Sequence, residues 1–205
     1  MLYDYLIENY KKGEPIFISE ISGYSPNYIR QEFKRLTDEK KINRLYNGVY
    51  YLPYKTILGT DGNVSINKFI EKKYLYSDKE INGYFTGLYL ANMLGFTSQN
   101  PACFEICSNV TTTKQRKNEF FGFKIIEYKP VVKITKDNYK ELQFLDLMSN
   151  IDKYSELSNT ERNEKLKKYV ETNNLSFKKI KDFLPLYPDR IYKNLYNGGL
   201  MNELV

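Results

Sequence analysis

Ten residues between Asn27 and Asn47 have side chains that are suited to contacting DNA. Asparagine and glutamine amides pair with the adenine edge in the major groove, arginine pairs with guanine, and lysine or arginine binds phosphates. The candidate DNA-contacting residues are Asn27, Tyr28, Arg30, Gln31, Lys34, Arg35, Lys41, Arg44, Tyr46 and Asn47. Their types predict double-stranded DNA as a partner of this segment.

A helix must position most of these residues, and local signals predict where it begins. Ser25 is a typical N-cap, and Pro26 suits the first helical turn, where a missing N–H costs nothing. Ile29, Phe33 and Leu36 follow at i, i+4 and i+7, which predicts one buried stripe. The polar and basic candidates then lie on the opposite, solvent-facing side of the same helix.

The residues before this helix predict the rest of a small DNA-binding fold. Leu2 and Leu6 belong to the apolar stripe of a first helix, and residues 16–18 form a short β-branched and aromatic run. Ser19 is positioned to cap a short second helix, which Gly23 would close. The helix that carries the candidate residues is therefore expected to be the third.

A β-hairpin is predicted directly after that helix. Residues 42–46 and 49–52 alternate in polarity around Asn47-Gly48, the strongest short hairpin signal in a sequence. Such a two-residue turn is expected to be of the primed type, with positive φ at both central residues. Residues 1–55 are thus interpreted as a winged helix-turn-helix DNA-binding domain.

The charge of this segment agrees with that interpretation. From Pro26 to Lys55 there are seven basic and three acidic residues, a net charge of +4 out of +6 for the whole chain. The alternative is a plain folding unit whose basic residues are merely solvated. Binding through phosphates would weaken with salt, with a log–log slope near −0.9 per neutralised phosphate.

The rest of the chain predicts a second, larger domain. A short turn-rich connector spans about residues 53–63, and residues 63–205 are expected to form a mixed α/β domain with a helical C-terminal end. The overall fold class is α+β. A helix is expected from about Gly83 to Leu94, ended by Gly95.

Extended segments are expected next, followed by helices. Residues 102–108, 120–128 and 131–135 have strand character, and the basic stretch 114–117 is interpreted as a loop. Capping boxes are predicted for helices at Asn138 with Glu141 and at Ser158 with Glu161, and Ser176 is expected to begin another helix.

Several kinds of chemistry find no support in the sequence. The chain has no histidine and no P-loop or dinucleotide-binding glycine pattern, so neither catalysis nor a cofactor or metal is expected. Cys103 and Cys107 are too far apart for a relaxed disulfide on a strand and should be reduced thiols. An enzyme remains the alternative if Glu105 meets Asp146 or Glu141 in a pocket; a third interpretation is a protein-interaction module.

The chain also lacks the signals of membrane insertion. No apolar stretch approaches the roughly 20 residues that a transmembrane helix needs. Asp4 and Glu8 stand where a secretory signal would be basic and then apolar. A cytoplasmic location without membrane contact is the expectation.

Three segments resemble the AbiEi family of antitoxins. They are residues 47–53, ending in Leu52-Pro53, residues 83–87 (Gly-Tyr-Phe-Thr-Gly), and residues 92–101 (Asn-Met-Leu-Gly-Phe-Thr-Ser-Gln-Asn-Pro). The resemblance implies an antitoxin of a type IV toxin–antitoxin, or abortive-infection, system for phage defence. It implies a transcriptional repressor whose winged helix binds inverted repeats in its own promoter. It also implies a nucleotidyltransferase-like toxin, which the C-terminal antitoxin domain neutralises with or without direct contact.

Overall fold

The computed structural model describes residues 1–77 and 80–201, and the chain has a mixed α/β fold. It divides into two compact units, Met1–Lys73 and Tyr74–Val205. The sequence-based boundary lies earlier, in the connector at residues 53–63. The segment that follows this connector therefore belongs with the first unit in the structure.

The first unit packs helices against a small antiparallel sheet. Its elements are α1 (Leu2–Asn9), β1 (Ile16–Phe17), a 3₁₀ turn (Ile18–Glu20), α2 (Pro26–Asp38), β2 (Asn43–Tyr46), β3 (Val49–Tyr51) and α3 (Ile66–Ile70). A π-helical turn (Glu71–Leu75) follows α3 and contains the boundary between the two units. The strand order is β1-β3-β2. Leu2, Leu6, Phe33 and Leu36 are fully buried in its core, so α1 and α2 pack through their apolar stripes.

Two local predictions for the first unit are wrong. The short second helix is only the 3₁₀ turn, which Gly23 follows with a φ of +83°. The hairpin turn is not of the primed type, because only Gly48 has positive φ, at +75°, and Asn47 does not. A bulge between Arg44 and Tyr46 shifts the register of β2 against β3. Bulges increase local strand twist, so the strands can meet without a primed turn.

The second unit combines a mixed sheet with helices. Its elements are β4 (Tyr76–Ser77), β5 (Glu80–Ile81), β6 (Gly83–Phe85), α4 (Gly87–Met93), β7 (Phe104–Ser108), β8 (Gln115–Phe120), β9 (Phe123–Tyr128), α5 (Tyr139–Met148), α6 (Ile151–Tyr154), α7 (Asn159–Asn173), α8 (Phe177–Phe183), a 3₁₀ turn (Leu184–Leu186) and α9 (Arg190–Asn197). The larger sheet has the order β6-β7-β9-β8, with β7 and β9 parallel and the other pairs antiparallel. Phe96, Phe144 and Leu145 are central to a core that the helices share.

The helix predicted from about Gly83 is shorter than expected and begins at Gly87. Gly83 lies instead at the start of β6, which pairs with β7. A Cβ atom at Gly83 would lie 2.7 Å from the carbonyl oxygens of Cys107 and Tyr74. The glycine therefore permits two backbone segments to approach closely, which a side chain would prevent.

The strand predictions are correct for β7 and wrong around the basic stretch. Residues 115–120 form β8, and residues 131–135 form no strand. The β8–β9 turn lies at Phe121-Gly122, where both residues have positive φ. Arg116 and Lys117 therefore lie on an exposed edge strand rather than in a loop, and charged side chains on such an edge hinder unwanted strand pairing.

The helix caps of the second unit agree only in part with the predictions. Ser158 and Glu161 form a complete capping box, and the Ser176 hydroxyl accepts a hydrogen bond from the backbone N–H of Lys179. Asn138 makes no cap hydrogen bond, and Glu141 instead accepts one from the backbone N–H of Ser176 at 3.3 Å. Glu141 is thus used in a tertiary contact, which overrides its local capping pattern.

Candidate functional sites

Helix α2 is built as its sequence predicts. The Ser25 hydroxyl accepts a hydrogen bond from the Tyr28 N–H at 3.3 Å, and Pro26 occupies the first turn. Ile29, Phe33 and Leu36 are buried. Because this stripe is held in the core, the opposite face of the helix points to solvent. All ten predicted DNA-contacting residues are exposed.

Four of these residues form a continuous polar stripe along α2. Asn27, Arg30, Gln31 and Lys34 are spaced at i, i+3, i+4 and i+7, which puts them on one side of the helix. Among the described residues, none of the four has an ion pair or a side-chain hydrogen bond to another group. Two amides and two cations are therefore available to an external ligand along about two turns.

Arg35 differs from these four residues because its side chain forms ion pairs with two neighbouring carboxylates. Its guanidinium group contacts Glu32 at 2.8 Å and Glu39 at 2.6 Å, and its Nε also donates to Glu32 at 3.1 Å. Arg35 lowers the pKa of the Glu32 carboxyl group, and Lys41 together with Arg35 lowers that of Glu39. At least three of the five guanidinium N–H donors are thus occupied, and base recognition by Arg35 would require this arrangement to open.

The hairpin residues are exposed and partly engaged with one another. The Arg44 guanidinium donates to the Asn47 side-chain oxygen at 2.9 Å, across the turn. Lys41 forms an ion pair with Glu39 at 2.8 Å. Tyr46 is 45% exposed near the hairpin tip. Glu39 therefore restrains two of the basic residues that the sequence nominates for DNA contact.

The second unit contains a cavity of about 440 Å³ that the sequence did not reveal. Its lining brings together Glu105 from β7 and Asp146 from α5, the pair required by the enzyme alternative. Glu141 is not part of it. Over residues 1–77 and 80–201, no group of three or more Cys, Asp or Glu side chains is arranged to hold a metal ion.

Both cavity carboxylates accept hydrogen bonds from the protein. Asp146 accepts from the hydroxyls of Tyr84 at 3.0 Å and Thr86 at 3.3 Å. Burial raises the pKa of Asp146 to about 6, although these hydroxyls act in the opposite direction. Glu105 accepts from the backbone N–H of Leu88 at 2.7 Å and from the Tyr128 hydroxyl at 3.1 Å. The two carboxylates of this cavity therefore have different partners: Asp146 accepts from hydroxyl groups, whereas Glu105 also accepts from a backbone N–H.

Residues 92–101, which belong to the most specific part of the resemblance, contain side chains that link two loops. Glu156 accepts hydrogen bonds from the backbone N–H and the hydroxyl of Ser98, at 2.7 and 2.9 Å, and from the Gln99 amide at 2.9 Å. These contacts lower the pKa of Glu156 to about 2. They tie the loop after α4 to the loop after α6, which is an architectural role.

Comparisons with known proteins do not identify the chain. A scan against protein-family models finds no match, and a search of curated proteins finds none either. Across the described residues, no helix is both long enough and apolar enough to cross a membrane. The surface of α2 and the cavity of the second unit are therefore the two features that bear on function.

Proposed function

We propose that this protein is a DNA-binding transcriptional autorepressor whose first unit is a winged helix-turn-helix. The observation that carries the proposal is the stripe on α2 formed by Asn27, Arg30, Gln31 and Lys34, whose side chains have no partner in the described part of the chain. The order of helices and strands in the first unit agrees with that fold, in which one helix enters the major groove. The 3₁₀ turn occupies the place of the second helix.

The direct test is a binding titration on DNA from upstream of the gene. We expect the duplex with inverted repeats to bind more tightly than a random duplex of equal length at physiological salt. Specific complexes are typically tighter than non-specific ones by about 10³-fold or more. Equal affinity for both duplexes would contradict a specific repressor.

The stripe on α2 predicts two different mutational effects. Gln31→Ala should cost roughly 1–3 kcal/mol on the specific site and relax base preference at one position, because the amide reads a base edge. Lys34→Ala should weaken binding to every sequence and reduce the salt slope by about 1, because the lysine contacts phosphate. Fluorescence anisotropy on specific and random duplexes at several salt concentrations separates the two effects. Identical losses on both duplexes for Gln31→Ala would rule out base reading.

The ion pairs of Glu39 with Arg35 and Lys41 lead to a further prediction. Glu39→Gln should increase DNA affinity roughly threefold to tenfold and make the dependence of affinity on salt steeper. The reason is that it releases Lys41 and one guanidinium nitrogen of Arg35 to bind phosphates. Asp38→Asn is the matched control, since it removes the same charge from an exposed neighbour that has no ion pair in the described part of the chain. An equal gain with Asp38→Asn would show that only net charge matters.

We further propose that the second unit makes the protein an antitoxin against a nucleotidyltransferase-like toxin, acting in the cytoplasm. The resemblance of residues 83–87 and 92–101 to AbiEi antitoxins supports this role. Co-expression of the full chain with a nucleotidyltransferase encoded by the neighbouring reading frame tests it. Growth should be restored, and Lys34→Ala should still restore it when both genes are under an unrelated promoter. No rescue by either protein would contradict the antitoxin role.

In this proposal the second unit binds a partner and performs no reaction. The contacts of Glu105 and Asp146 to their own chain support it, because both carboxylates already anchor neighbouring segments. The enzyme alternative has one observation in its favour, which is that these two residues line one cavity. Toxin neutralisation that survives Glu105→Gln would argue against catalysis by this pair.

A further inference from the structure

The cavity of the second unit has the size and lining of a small-molecule site. About 440 Å³ falls within the range of roughly 300–1,000 Å³ typical of ligand pockets. Its wall comes from three strands of the larger sheet, from helices α4, α5, α6 and α9, and from the 3₁₀ turn Leu184–Leu186. Because these elements belong to one packed unit, the core holds this open cavity in shape, and a bound molecule would not have to form it.

Hydroxyl groups and a carboxylate line the deep part of this cavity. Tyr84, Thr86, Ser149 and Tyr187 are each less than 9% exposed, and all four have hydroxyl groups. The carboxylate of Asp146 lies beside them and is partly accessible. All four hydroxyls donate to oxygens of their own chain. Their oxygens can therefore accept hydrogen bonds from the hydroxyl or amino groups of a ligand.

The outer part of the cavity is positively charged. Lys114, Lys129 and Arg190 line it and are exposed, and none of them forms an ion pair within the described residues. Among the residues that the structure describes, Arg190 donates only to the Asn150 side-chain oxygen, at 2.8 Å. Three cations without carboxylate partners around one opening favour a multiply charged anion, and phosphate suits both lysine and arginine.

Aromatic and acidic side chains lie between the cations and the deep hydroxyl groups. Tyr128 and Tyr154 are half-buried and present aromatic rings to the lining. The two oxygens of Glu105 accept hydrogen bonds from Leu88 and Tyr128, and a carboxylate oxygen can accept two such bonds. Carboxylates recognise sugar hydroxyls in this way, and tyrosine rings stack on planar bases.

From this arrangement we infer that the cavity of the second unit binds a nucleoside monophosphate. The phosphate lies at Lys114, Lys129 and Arg190, and the sugar hydroxyls donate to Glu105 and Asp146. The base packs against the tyrosines. This site is separate from the DNA-contacting stripe on α2, so it gives the protein a second, small-molecule ligand.

Isothermal titration calorimetry of the full chain tests the inference with defined probes. These are the four nucleoside 5′-monophosphates, adenosine and inorganic phosphate. At least one monophosphate should bind, and both adenosine and inorganic phosphate should bind at least roughly tenfold more weakly, since each lacks half of the contacts. No heat with any monophosphate at millimolar concentration overturns the inference. Equal binding of inorganic phosphate overturns the nucleoside part of it.

Three variants locate the site. Lys129→Ala should weaken monophosphate binding roughly tenfold, whereas Lys168→Ala, which removes an exposed lysine of α7 outside the cavity, should leave it unchanged. Lys34→Ala on α2 should also leave it unchanged. Loss of binding in Lys34→Ala but not in Lys129→Ala would place the nucleotide on the DNA-contacting helix and overturn the inference. Equal effects of Lys129→Ala and Lys168→Ala would show non-specific charge attraction and overturn it too.

Discussion

Replacing Phe33 by alanine is expected to destabilise the first unit by about 3–5 kcal/mol, the usual cost of removing a buried phenyl ring. Phe33 is fully buried, and its ring meets that of Tyr50 edge-on at a centroid distance of 4.8 Å. This contact fixes α2 to β3. A unit of this size has a free energy of unfolding on the order of 4–11 kcal/mol, so the substitution removes a large part of it.

The measurement is thermal unfolding of the full chain by circular dichroism, together with DNA binding. The midpoint temperature for unfolding of the first unit should fall by roughly 15 °C or more. Specific DNA binding should disappear above that midpoint. Ile57→Ala is the control, because Ile57 is fully exposed and should change stability by less than about 0.5 kcal/mol. Equal transition temperatures for the two variants would show that Phe33 does not anchor the helix.

Elements that depend on neighbouring residues could be predicted from the sequence. The start of α2 at Ser25-Pro26 and its buried stripe are local patterns, and both are confirmed. The capping box of Ser158 and Glu161 is confirmed for the same reason, since three residues and one helical turn contain all the atoms involved. No distant part of the chain competes for these groups.

Elements that depend on distant residues could not be predicted in this way. Glu141 has the same local spacing as Glu161, but Ser176 provides it with a different partner 35 residues away. Gly83 looked like part of a helix, yet the close approach of the Cys107 and Tyr74 carbonyls requires it in a strand. Tertiary contacts override local propensity at both positions.

The helix surface around Arg35 and the cavity of the second unit also differ in whether their contacts are local in the sequence. The carboxylates that hold Arg35 lie three residues before it and four after it, a spacing that the sequence displays and that could have signalled the ion pairs. Glu105 and Asp146 are far apart in the chain, and only the packing of α5 against the sheet brings them to one cavity. The structure therefore shows that Arg35 is held by neighbouring carboxylates, and it brings two distant carboxylates together in one cavity.

Asp146→Asn should remove a specific pH dependence of stability from the second unit. Burial raises the pKa of this carboxyl group to about 6 from its ordinary 3.8. The folded protein then binds the proton more tightly than the unfolded chain does. The stabilisation of the folded state by this bound proton is complete below pH 3.8 and is lost as the pH rises through about 6. A difference of about 2 units corresponds to about 3 kcal/mol.

Asparagine keeps an acceptor for the hydroxyls of Tyr84 and Thr86 but does not ionise. The free energy of unfolding of Asp146→Asn, relative to the unsubstituted protein, should therefore rise by about 2 kcal/mol between pH 4.5 and 7. Urea titrations across this range measure it. Glu156 does not interfere, because its pKa is lowered to about 2 and its contribution is lost only at lower pH. Asp182→Asn, at an exposed position on α8, should follow the unsubstituted protein. Parallel pH profiles for the unsubstituted protein and Asp146→Asn would show that the cavity keeps this carboxylate hydrated, and that its floor is open to water.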